Sequence, residues 1–143
     1  MENIANMANI PLPMTALYAG MLGLMLVVLS MMVIRQRVKA KVDLFDGGDP
    51  QLGQAIRVQG NLTEYLPLAL ILMAVVEING APDLYLHIGG SALLIARLLH
   101  AYGLSKSSGV SVGRFIGTIG TFIMIAVAAI YAVIQYNGYV QAI

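Results

Sequence analysis

The sequence predicts an all-α integral membrane protein, a bundle of four transmembrane helices, and three observations carry that prediction. The 143-residue chain is 59% hydrophobic and only 10% charged, with a mean hydropathy of +0.81, outside the composition of ordinary soluble domains. Four apolar stretches are each long enough to cross the hydrocarbon core of a bilayer. The polar segments between them hold the glycines and prolines that end helices. No internal repeat or long linker divides the chain, so residues 1–143 are expected to form a single membrane domain.

The first thirteen residues carry only Glu2 and three asparagines, without the basic stretch of a cleavable leader, so the first apolar segment is expected to stay as an anchor. Residues 14–34 contain no charge; at ~1.5 Å per residue they reach about 31 Å, enough to span. A polar stretch follows over 35–53, with the turn Asp46-Gly47-Gly48-Asp49-Pro50 inside it. The second span is expected over 52–76, the short turn 77–83 comes next, and the third span covers 84–102 with His87, Arg97 and His100. After a polar loop at 105–111, residues 115–136 supply a fourth span free of charge.

Basic residues set the orientation. Arg35, Arg37, Lys39 and Lys41 sit in or beside the first loop, and Lys106 and Arg114 flank the third. The positive-inside rule then puts both loops in the cytoplasm and both termini outside, with Tyr18, Tyr85, Tyr136 and Tyr139 near the outer interface.

Composition excludes several function classes. With no cysteine there is no disulfide, thiolate metal site or cysteine nucleophile, and no metal site is expected; any thiol chemistry needs a small-molecule thiol. The eight Lys and Arg are dispersed and the net charge is +1, so nucleic acid is not an expected partner.

The functional signal is polar residues inside spans, where charge is costly unless it faces protein, a polar cavity or a ligand. Arg57, Asn61, Glu64 and Tyr65 are spaced i, i+4, i+7, i+8 and fall on one stripe of the second helix. Arg97 and His100 share a face of the third, so a Glu64–Arg97 salt bridge between the helices is expected. These groups could simply join helices. Arg35, Arg37, Arg57 and Arg114 nevertheless gather at one end around a single glutamate, and an anionic ligand would balance the excess. Pro67 predicts a kink past the stripe, and Gly109, Gly113, Gly117 and Thr121 predict a close-packing face at the start of the fourth helix. Asn61-Leu62-Thr63 matches a glycosylation sequon, but inside a span it is not modified. His87 is expected at the interface or at a helix contact, and His100 at a ligand.

The string from Arg57 to Pro67, RVQGNLTEYLP, resembles the R-x-Q-x-N-x-x-E-Y-x-P signature of the MAPEG family, the membrane-associated proteins in eicosanoid and glutathione metabolism. Arg35-Gln36-Arg37 closing the first span and Ala96-Arg97-Leu98-Leu99-His100 in the third support the resemblance, which looks closest to the bacterial branch. It implies a bacterial inner-membrane homotrimer with glutathione as co-substrate, bound between subunits near the cytoplasmic face and open sideways to lipid. Arg57, Gln59, Asn61, Glu64 and Tyr65 match binding positions of the second span, and His100 a contact position of the third. Arg37 and Arg97 join that binding set. Arg35 matches the arginine ending the first span, and Arg114 lies close to the arginine held to activate the thiol. Leu104 stands where some family enzymes carry a tyrosine.

The expected chemistry is attack by glutathione thiolate on a lipophilic electrophile, or reduction of a lipid hydroperoxide, with Arg114 and then Arg35 favouring the thiolate. A thiol of pKa ~8.5 lowered by a unit or two would gain about 1.4 to 2.7 kcal/mol. Two alternatives stand beside it: a non-catalytic scaffold of the same fold that binds lipid or a partner, and a small cation transporter using Glu64. The arginines argue against the transporter, since they would repel a cation.

Overall fold

The computed structural model describes residues 12–106, 109 and 111–141; the expectation about a leader falls chiefly on residues outside these. Four helices are long and apolar enough to cross a membrane. They are α1 (Pro13–Ala40), α2 (Pro50–Ile78), α3 (Asp83–Lys106) and α4 (Val112–Gln141). Each contains an expected span and runs beyond it.

The extra turns have local causes. α1 continues through Arg35, Arg37 and Lys39 to a left-handed Lys41, whereas the sequence suggested that a polar stretch begins at Arg35. Backbone hydrogen bonds do not end where hydropathy does, and basic side chains in a last turn favour the helix dipole. Pro50 at the first position of α2 sacrifices no hydrogen bond, and the Asp49 carboxylate caps by accepting from the Leu52 N–H at 2.8 Å. α2 passes unbroken through Pro67 and includes Glu77, which the sequence placed in a turn. It closes with the Ala81 N–H donating to the Val76 carbonyl and Gly80 at φ 82°. α4 begins at Val112, so Gly109 precedes the helix rather than belonging to its packing face.

The helices form a rhombus in section. α2 and α3 each touch all the others, while α1 and α4 do not meet among the described residues. The core between them includes Leu22, Leu52, Leu62, Met73 and Leu93. Leu24, Val27 and Met31 of α1 and Ile123, Val127 and Ile130 of α4 point outward, the surface that lipid or another membrane protein covers. α3 and α4 have the most extensive contact. Its tightest point is Gly117, where a Cβ would collide with the Ala96 carbonyl and with His100.

Tyr18 faces the interior of the bundle. It is 4% exposed, its ring lies on Gly90, and its hydroxyl is 2.8 Å from Ser91 Oγ and 3.1 Å from His87 Nδ1. It ties α1 to α3, and His87 is a helix-contact residue as expected.

Candidate functional site

The stripe on α2 divides in two. At 3.6 residues per turn Glu64 returns to within about 20° of Arg57, while Asn61 and Tyr65 lie about 40° and 80° to the other side. That difference sends them to different neighbours. Asn61 and Tyr65 turn toward α3 and α4; Arg57 and Glu64 face outward.

The inner half centres on Arg97, which is 2% exposed. Its Nη1 donates to Asn61 Oδ1 and its Nη2 to the Gly117 carbonyl, both at 3.0 Å, and its guanidinium lies 5.6 Å from the centre of the Tyr65 ring. Tyr65 also meets Phe122 of α4 at 5.4 Å between ring centroids. A buried cation held by dipoles and a ring joins three helices, but no carboxylate reaches it: among the described residues the ion pair is Arg57–Glu64. The Glu64–Arg97 bridge expected from sequence is therefore corrected. The two residues share a depth but not an azimuth.

The outer half is that ion pair. Arg57 Nη1 meets Glu64 Oε1 at 2.6 Å and Nη2 meets Oε2 at 3.3 Å, a two-pronged contact, yet the side chains are 57% and 44% exposed. Beside it runs a groove of about 360 Å³ lined by Phe45, Asp46, Gly53, Ile56, Arg57 and Gly60.

The remaining expected site residues separate by what they touch. His100 is buried against Gly117 and feels the positive charge of Arg97, Arg114 and Arg57. The Arg114 backbone N–H donates to Ser111 Oγ and its carbonyl accepts from Thr118, but its half-buried guanidinium bonds no described residue. Arg35 is exposed and equally unengaged. Arg37 is committed elsewhere: its Nη1 donates to the carbonyls of Asp43 and Phe45 at 3.1 and 2.8 Å, fastening the first loop. Gln59 is half-buried, about 200° around α2 from Arg57, and does not join the Arg57–Glu64 surface of its own helix. Sequence reasoning missed the Gly117 carbonyl and Phe122 as partners of the inner half. The i, i+4 step from Asn61 to Tyr65, set against the i, i+7 step from Arg57 to Glu64, was the available signal for the division.

A model of the MAPEG family matches residues 15–134, which takes in all four helices and both halves of this constellation. The chain belongs to the MAPEG family. It is 45% identical over 89 residues to the inner membrane protein YecN of two Escherichia coli strains, K12 and O6:H1 CFT073, a match covering 62% of this chain and 68% of YecN. Four spanning helices and these relatives make it a multi-pass inner-membrane protein. In this MAPEG member the polar signature of α2 has two duties: Asn61 and Tyr65 hold the bundle together through Arg97, and Arg57 and Glu64 remain available at its surface. Leu104 is buried, with its backbone carbonyl accepting from Gln54 Nε2, so an apolar core side chain occupies that position.

Proposed function

We propose that this chain is a membrane-bound glutathione transferase, a homotrimer whose sites form where the Arg57–Glu64 surface of one subunit meets a neighbour. One observation carries the proposal: a charged pair about half exposed on a helix that crosses the membrane. Against hydrocarbon such a pair is costly, so a protein surface or polar ligand must cover it. Glutathione suits that surface because its carboxylates and ammonium complement a guanidinium and a carboxylate set side by side. The unengaged guanidiniums of Arg114 and Arg35 are the cations available to stabilise a thiolate, with Arg114 our choice for that role. The thiol proton passes to solvent, a carbon–sulfur bond forms at the electrophile, and the leaving group departs with its electron pair. Peroxidase chemistry at the same thiolate would consume two glutathiones per lipid hydroperoxide, giving the alcohol, water and glutathione disulfide. The orientation that goes with this site has both termini outside and the first and third loops cytoplasmic.

Calorimetric titration of glutathione into the detergent-purified protein, beside Arg57→Ala, tests the proposal. Saturable binding lost in the variant supports it; no binding at millimolar glutathione by a folded oligomer refutes it. Arg114→Ala should then lower turnover at least tenfold more than it lowers glutathione affinity, and equal turnover would remove Arg114 from the mechanism. The buried Leu104 favours a second reading, a binding scaffold without turnover, for which glutathione or lipid binds and no electrophile or hydroperoxide is consumed.

A further inference from the structure

The first loop and α2 together shape a surface whose details the protomer itself does not explain. Phe45 is 84% exposed and adopts φ 57°, a left-handed conformation that L side chains avoid. The strain is held in place by the two Arg37 hydrogen bonds. A non-glycine residue kept left-handed to display a phenylalanine is the kind of local strain that collects at binding sites. Across the groove, Gly60 lies in mid-helix, where glycine disfavours the helix, yet a Cβ there would meet nothing within 4 Å. No contact among the described residues requires a small residue at that position. Gly53, Arg57, Gly60 and Glu64 follow one another at steps of four, three and four along this face of α2; Gly53 packs against the Asp46 side chain, and Gly60 leaves an open floor beside the ion pair. Phe45 and Ile56 supply apolar walls.

We infer that Phe45 and Gly60 set the specificity of the proposed site: the groove holds the aliphatic part of the lipophilic co-substrate, with Phe45 and Ile56 as walls and Gly60 as floor. The inference rests on the glutathione reading and adds the residues that select the second substrate. The ion pair gives this occupant a polar anchor. It places a carboxylate and a guanidinium at the end of the apolar groove, which complements the zwitterionic head of a glutathione adduct.

The test uses glutathione and its S-methyl, S-propyl and S-hexyl derivatives, titrated into the purified full-length protein at one fixed detergent concentration. In the wild type each added methylene should tighten binding about two- to fourfold. Phe45→Ala should reduce that gain below twofold, and Gly60→Leu, whose Cβ enters open space and whose branch fills the floor, should abolish it. Glutathione itself should bind both variants within twofold of wild type, and light scattering should give the wild-type oligomeric mass. An unchanged gain per methylene in both variants, with glutathione still binding, overturns this inference alone. A wild type that binds neither glutathione nor any derivative overturns the parent reading and this inference together. A changed oligomeric mass in either variant assigns the groove to a contact between subunits and overturns it also.

Discussion

The two ends of the bundle handle polar groups in opposite ways. At the end away from the arginines, the Glu77 carboxylate accepts from the backbone N–H groups of Met14 and Thr15 at 2.9 and 2.8 Å. The Tyr18 hydroxyl is shared among His87 and Ser91, and Gln135 Nε2 donates to the carbonyls of Val76 and Asn79. Every one of those side chains links two helices. At the arginine end, Arg97 and Asn61 follow the same pattern, but Arg57 and Glu64 are about half exposed and the guanidiniums of Arg35 and Arg114 have no described partner. Polar groups satisfied within the chain report architecture. Those left open toward a membrane interior report what the chain has yet to meet.

Substitutions at either end should therefore separate binding from stability. The largest effect is expected for Arg57→Ala, about a hundredfold loss of glutathione affinity, or roughly 2.7 kcal/mol. Its unfolding midpoint in an SDS titration should hardly move, because an exposed ion pair contributes little to the fold. A large stability loss with affinity intact would erase the contrast. Next comes Gly117→Ala at the α3–α4 contact, where overpacking should cost about 1–3 kcal/mol in the same titration. It should weaken ligand binding only by displacing Arg97. Glu77→Gln should cost about 1–2 kcal/mol through loss of a charged cap and leave glutathione affinity unchanged. The smallest effect, about 1 kcal/mol for Tyr18→Phe, should likewise spare binding, since the lost hydrogen bonds lie at the far end.

Sequence alone made the four spans legible, because uncharged runs such as 14–34 leave few alternatives in a chain this apolar. The turns beyond each span were not legible: Arg37 and Lys39 are helical although they lie past the hydropathic edge. Spacing put Arg57, Asn61, Glu64 and Tyr65 on one stripe of α2, which the structure divides between an outward face and the bundle interior. Spacing lacked the phase that separates Glu64 from Arg97, which depends on how α2 is rotated against α3. The tether from Arg37 to the carbonyls of Asp43 and Phe45 leaves no pattern in sequence, since any residue presents a carbonyl and the left-handed turn at Phe45 involves no glycine.

The carboxylate of Glu77 also bears on how α1 and α2 are registered against each other. The Leu12 side chain at the start of α1 does not cap it. Its first free N–H groups wait for a residue 62 and 63 positions later in the chain. The first span thus completes its end only when the second has arrived antiparallel beside it and at the matching depth. A slip of a single residue, about 1.5 Å along the axis, would pull the carboxylate out of line with that pair of donors. One carboxylate thus registers the depth of α1 against that of α2.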